Sequence, residues 1–159
     1  MQSAFDWIPK VTGDMTSSKP RVAFLEWHDP LFAGGHWIPD MLEIAGCSYE
    51  MGSSSDRSKA MKDEELGQLD PDVILIGPCG FSLDRAFNDT LDLYEKKAWF
   101  KEMRAVKEGR AFALDGNSYY ARPGPRLLQG CGIMAACIHG DQVAEILGEE
   151  LAPSGGIVG

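Results

Sequence analysis

The chain has 159 residues, 44% of them hydrophobic, and its 24 acidic side chains outnumber 15 Lys and Arg side chains, for a formal net charge of −9. A domain of this length can form its own core, because it buries roughly 70% of its extended surface on folding. The negative charge argues against a nucleic acid or an anionic membrane as partner, since both attract basic surfaces. The sequence also lacks an apolar run of the roughly 18 residues that a membrane-spanning helix needs.

Three short apolar runs predict buried parallel strands: Val22 to Leu25, Val73 to Ile76 and Ala111 to Leu114. Helical patterns surround them, at residues 1–13, Trp37 to Ile44, Ser82 to Lys97 with Ser82 as N-cap, Trp99 to Val106, Pro125 to Ile138 and Asp141 to Leu147. The polar segment 52–59 is expected to be a loop. This order predicts a three-layer α/β/α lobe with a mainly parallel central sheet and right-handed crossovers.

Three loops follow the predicted strands, at residues 26–36, 77–81 and 115–125. Because the carboxyl ends of parallel strands share one edge of a sheet, we expect these loops to converge on a ligand site. They supply an aromatic rim with few charges, which suits a large, flat organic ligand. The rim consists of Trp27, His28, Phe32, His36, Trp37, Phe81, Tyr119, Tyr120 and Arg122.

Several of these residues have a structural alternative. Trp37 is expected to pack into the core as its helix begins, and His36 to hydrogen-bond at the helix entry. Phe32 and Tyr120 are expected to be exposed loop aromatics, which favours ligand contact. Arg122 suits loop carbonyls as well as a ligand carboxamide or phosphate.

Signatures of an enzyme are weak in this chain. It contains no G-x-S-x-G elbow, P-loop or G-x-G-x-x-G motif. His28 and His36 do not have a familiar zinc-ligand spacing. The scattered cysteines lack any C-x-x-C pair, so we interpret all four as packing residues rather than as a metal site, a disulfide framework or a nucleophile. They are Cys47, Cys79, Cys131 and Cys137.

Three long motifs together resemble the carboxyl-terminal lobe of cobalamin-binding periplasmic proteins, the class III substrate-binding components of ABC importers. The motifs are EWHDPLFAGGHWIPDMLEIAG, DPDVILIGPCGFSLDRA and AVKEGRAFALDGNSYYARPGPRLLQG. The resemblance runs from about Pro20 to about His139. It implies two α/β lobes joined by a long helix, with the corrinoid held between them, and only one of these lobes is present here.

The resemblance also implies a set of functional residues. Phe32, Tyr119, Tyr120 and Arg122 match positions that line the corrinoid cleft, and Trp27 and the turn of Gly34, Gly35, His36 and Trp37 shape the same wall. Phe81, from the aromatic rim, is a further candidate for ligand binding. Glu64 falls where family members place a carboxylate that docks to the membrane permease. The pattern departs at SSSDRSKAMK, residues 53–62, where family members commonly carry a Trp.

Two hypotheses follow. The first is non-catalytic binding of a corrinoid, with no metal held directly by the protein, in association with an ABC permease or an amino-terminal lobe. The second is a lone lobe that serves as an interaction subunit of a larger assembly. The corresponding organisation is an interlobe-type helix and linker at 1–19, the lobe at 20–150 and a tail at 151–159. The compartment is extracytoplasmic for a fragment of a secreted binding protein, and cytosolic or organellar for a chain complete as given.

Overall fold

A computed structural model of the chain describes residues 8–9, 12–13, 18–141, 143 and 145. Its five strands form one mixed sheet in the order β3-β2-β1-β4-β5. Strands β1, β4 and β5 run parallel, whereas at one edge β2 pairs antiparallel with β1 and β3 pairs antiparallel with β2. The strands are β1 (Val22–His28), β2 (Leu31–Ala33), β3 (Lys59–Ala60), β4 (Val73–Ile76) and β5 (Ala111–Ala113).

Helices cover both faces of this sheet. In β1, Val22 and Phe24 point into one core and Ala23 and Leu25 into the other, because successive side chains of a strand alternate between faces. The prediction of a three-layer α/β/α lobe is confirmed. The helices are α1 (Ile38–Ile44), α2 (Asp63–Leu69), α3 (Leu83–Lys96), α4 (Ala98–Glu102), α5 (Arg104–Lys107), α6 (Gly116–Tyr119) and α7 (Arg126–His139).

The three predicted strands are confirmed, with β1 extending three residues further, to His28. Strands β2 and β3 were not predicted. They have three and two residues, too few for an alternation pattern to show, and they pair Phe32 with Ala60 and Ala33 with Lys59. Part of the predicted loop after β1 is therefore a strand of the sheet, with β3 outside it at the edge.

The predicted N-cap of α3 is confirmed, since the Ser82 hydroxyl accepts a hydrogen bond from the Arg85 backbone N–H at 3.5 Å. The single helix predicted from Trp99 to Val106 is instead two short helices, α4 and α5. Met103 separates them in an extended conformation (φ −62°, ψ 136°) and is itself buried in the core. The helix is thus interrupted at the residue whose side chain enters the core.

The ends of the chain are described only in part. Ile8, Pro9, Thr12 and Gly13 are helical, as predicted for residues 1–13, and Ile8 packs into the same core as α7. The other residues of the segment 1–13, most of residues 142–150 and the predicted tail at 151–159 lie outside the described residues. Among those that are described, no helix is both long and apolar enough to cross a membrane.

The cysteine prediction is right for three of the four residues. Cys47, Cys131 and Cys137 are buried free thiols, and burial raises the pKa of each to about 12. Cys79 is exposed, so its interpretation as a packing residue is wrong. It lies just past the carboxyl end of β4, where the backbone leaves the core.

His139, at the end of α7, predicts a pH dependence of stability. Its Nε2 donates to the Ala45 carbonyl at 2.8 Å, while burial, reinforced by the charge of Arg110, lowers the pKa of the imidazole from 6.5. The folded protein therefore binds fewer protons than the unfolded chain as the pH falls below about 6.5. We expect the free energy of unfolding to decrease between pH 7 and pH 5.

Urea denaturation at a series of pH values measures this effect. In His139→Gln, which retains a side-chain donor, we expect a shallower pH profile than in the wild type. Parallel profiles for the two proteins would rule out the assignment to His139.

Candidate binding face

The loops that follow β1, β4 and β5 converge, as predicted, and we call the surface they form the carboxyl edge (residues 26–37, 77–81 and 115–126). Two hydrogen bonds join the loop after β4 to β1, from Gly77 N to Leu25 O (3.0 Å) and from Cys79 N to Glu26 O (3.2 Å). A third, from Asn117 N to Phe81 O (3.1 Å), joins it to the loop after β5. The three segments therefore form one continuous surface.

Phe81 supports this surface from beneath. Its ring packs edge-on against Trp27, with ring centroids 4.9 Å apart, and the Arg85 guanidinium lies 3.6 Å from the ring centroid. Only 7% of Phe81 is exposed as a result. Trp27 remains half-buried and keeps part of its ring at the surface.

The two adjacent tyrosines differ in their surroundings. Tyr120 is 4% exposed, its hydroxyl donates to the Gly130 carbonyl at 3.2 Å, and its ring meets Phe24 edge-on at 5.6 Å. Burial raises the pKa of the Tyr120 hydroxyl well above its usual value. Tyr119 is half-buried. Tyr120 is thus a core residue rather than the exposed aromatic that the sequence predicted, and Tyr119 presents the accessible ring.

The glycine pair before α1 fits against the segment 56–58. A Cβ on Gly35 would lie 2.4 Å from the Ser58 backbone nitrogen, so only glycine fits there. His36 follows with φ 57°, and its N–H donates to the Asp56 carbonyl at 2.6 Å. The Glu26 carboxylate accepts a hydrogen bond from the Ser58 hydroxyl. The predicted polar loop is therefore tied to the carboxyl edge.

Trp37 connects this turn to the loop after β5. The indole is half-buried against the core, as predicted, and its Nε1 donates to the Tyr120 carbonyl at 2.9 Å. The His36 ring is exposed and lies 5.6 Å from the Trp37 ring, rather than hydrogen-bonding at the helix entry. Phe32 is half-buried on β2, where it pairs with Trp27 of β1 and Ala60 of β3.

Charge at the carboxyl edge comes from few groups. Arg122 is exposed, and Cys79 lies within reach of its field. Burial and the charge of Glu26 raise the pKa of the Cys79 thiol, and Arg122 opposes them. Within the part of the chain that is described, no three His, Cys, Asp or Glu side chains are grouped so as to hold a metal ion.

The chain has the fold of one lobe of a periplasmic solute-binding protein, with the loops of its carboxyl edge on one surface. It matches no family model and no curated protein sequence, so the comparison rests on solved structures.

Three of these structures illustrate the likeness. The chain aligns with an ABC transporter substrate-binding protein of Listeria monocytogenes EGD-e at TM-score 0.74 and 20% identity, over 87% of this chain and 54% of that one. The alignment with IsdE of S. aureus complexed with heme has a TM-score of 0.71 and 16% identity, and it covers 87% of this chain and 54% of IsdE. The alignment with the periplasmic vitamin B12 binding protein BtuF of Vibrio cholerae has a TM-score of 0.67 and 16% identity, and it covers 86% of this chain and 50% of BtuF. The chain thus spans about half the length of these neighbours.

Sequence reasoning missed several features of this surface. Burial of Tyr120 had one signal, Gly130 within the apolar helix: a Cβ there would lie 3.0 Å from the Tyr120 ring, so the glycine makes room for it. No feature of the sequence indicated that Arg85, four residues further on, covers the Phe81 ring. Glu64, predicted to dock a permease, is exposed on α2.

Proposed function

We propose that this lobe binds a corrinoid of the cobalamin type, without catalysing a reaction, as one wall of the cleft of a solute-binding protein of an ABC importer. The observation that carries this proposal is the carboxyl edge, which presents three partly exposed aromatic rings on a rigid α/β lobe. The rings belong to Trp27, Phe32 and Tyr119. Aromatic surface with a few polar groups is typical of sites for large, flat ligands.

The polar groups of the same surface suit the rim of a corrin. The His36 imidazole and the Arg122 guanidinium are exposed on the carboxyl edge and supply donors for the amide carbonyls of a corrinoid. In this proposal the cobalt stays bound by its macrocycle. The buried residues Gly35, Phe81 and Tyr120 hold the wall in place rather than forming its surface.

The resemblance in sequence favours a corrinoid over other ligands. The neighbours named above include proteins described as binding vitamin B12 and as complexed with heme, so the fold by itself supports either macrocycle. The second lobe and the permease, with Glu64 as a docking carboxylate, complete the proposed assembly. The alternative of an interaction subunit is not favoured by these neighbours, which are named for the transport or binding of solutes.

Titration of the purified chain with cyanocobalamin, followed by calorimetry and the visible spectrum of the corrin, tests the proposal. We expect saturable binding that weakens about tenfold in Phe32→Ala and in Tyr119→Ala, because each loses an aromatic contact with the macrocycle. Tyr94→Ala is the matched control. Tyr94 is also a half-buried aromatic residue, but it lies in the last turn of α3, whereas the carboxyl edge adjoins the first turn of that helix. Binding of hemin without binding of cyanocobalamin would exclude a corrinoid as the ligand.

A further inference from the structure

A cationic depression lies beside the aromatic rings, between the end of β5 and the start of α7. Its volume is about 470 Å³. Its polar lining comes from Asn117, Ser118, Arg122 and Arg126, with two prolines and a glycine between the arginines. No acidic side chain of the described residues lines it, although the chain carries a net charge of −9.

The two arginines of this depression have no internal partner among the described residues. Both are exposed, and neither takes part in an ion pair or a side-chain hydrogen bond there. Arg104 shows the contrast, because its guanidinium pairs with Asp70 and Asp72. The charges of Arg122 and Arg126 are therefore available to a ligand.

The nearest acid in sequence, Asp115, forms an ion pair with neither arginine of this site. Asp115 accepts hydrogen bonds from the backbone N–H and the hydroxyl of Ser118, both at 2.8 Å, and so caps α6. Its carboxylate is thus engaged with its own helix. The charge of Arg122 also acts on Cys79 on the loop after β4, and the residues of the depression belong to the loop after β5, which also carries Tyr119.

We propose that the depression formed by Asn117, Ser118, Arg122 and Arg126 binds an anionic group, a carboxylate or a phosphate, of the ligand that lies on the carboxyl edge. The position of the macrocycle rests on the proposed function, whereas the affinity for an anion does not. Guanidinium groups bind planar carboxylates and phosphate oxygens through paired N–H donors. The site therefore selects, among flat ligands, those with a negative group at the periphery.

Titration of the ¹⁵N-labelled chain with inorganic phosphate tests the anion site directly. We expect saturable chemical-shift changes concentrated in residues 117–126, absent with chloride at the same ionic strength. Loss of one charged donor in Arg126→Gln weakens the binding of phosphate about tenfold. Arg126 makes no described side-chain contact that folding requires, so this variant keeps its fold.

Arg57→Gln is the matched control, because Arg57 is an exposed arginine on the 52–58 loop, and we expect it to leave phosphate binding unchanged. Arg122→Gln provides a second variant at the site. Absence of saturable shifts in residues 117–126, or equal affinity in the wild type and both site variants, would overturn the proposal.

Three corrinoids distinguish whether the anionic group that binds in the depression is a carboxylate or a phosphate. Cobyric acid carries a free carboxylate, cobalamin carries a phosphodiester, and cobinamide carries neither. We expect at least one of the first two to bind about tenfold more tightly than cobinamide, with the advantage lost in Arg126→Gln. Equal affinity for all three overturns the anion site while leaving corrinoid binding intact. Failure of all three, with phosphate binding retained, overturns the proposed function and supports the anion site.

Discussion

Replacement of Phe24 by Ala is expected to lower the free energy of unfolding by about 4 kcal/mol, the usual cost of deleting a fully buried aromatic ring. Phe24 is 0% exposed at the centre of β1. Its ring fills the space beside Gly34 and Gly77, where added Cβ atoms would lie 2.7 and 3.0 Å away, and meets the ring of Tyr120. All three loops of the carboxyl edge therefore rest on this side chain. Urea denaturation followed by circular dichroism measures the loss.

Phe112→Ala is the control for this variant. Phe112 lies in β5 of the same sheet but is only half-buried. We expect Phe112→Ala to lower the free energy of unfolding by about half as much, because this side chain buries less apolar area on folding. Phe24→Leu, which keeps most of the volume, should cost less than about 1.5 kcal/mol. Equal costs for Phe24→Ala and Phe112→Ala would contradict the central role assigned to Phe24.

Replacement of Gly116 by Ala is expected to destabilise the protein by about 3 kcal/mol, the upper part of the range for overpacking a closely fitted site. The added Cβ would lie 2.0 Å from the Pro78 carbonyl oxygen. This neighbour is backbone, and it is held by the hydrogen bond from Asn117 N to Phe81 O. The two loops must therefore separate to admit a methyl group, which also disturbs the carboxyl edge.

Gly67→Ala is the matched control for Gly116→Ala. Gly67 is exposed within α2, and a Cβ there meets nothing within 4 Å. Because alanine favours a helix over glycine, this variant should gain about 0.5–1 kcal/mol in stability. Chemical denaturation of both variants gives the comparison, and similar midpoints for the two would show that the loops yield easily at Gly116.

These two variants test the carboxyl edge. The sequence predicted the position of this surface but not the exposure of its side chains. Convergence of three loops followed from three apolar runs, since parallel strands bring their carboxyl ends to one edge. The exposure of individual side chains on that edge did not follow. Neighbours in sequence, such as Tyr119 and Tyr120, have the same chemistry and differ only in what packs against them.

The missed strands have a similar cause. Phe32 pairs with Ala60 through the backbone, and neither short segment carries a periodic pattern of its own. Strand β2 pairs with β1, and β3 pairs only with β2, so β3 depends on a partner far away in sequence.

The sequence by itself determined the layers, the buried strands, the capped helix α3 and the apolar helix α7, because local hydrophobic periodicity and capping residues specify these elements. Only the tertiary structure decided that Tyr120 and Phe81 are buried, that Cys79 is exposed and that Arg122 and Arg126 share a depression. These properties arise from contacts between loops, where packing space and the distance between charges depend on the whole fold rather than on the residues in order.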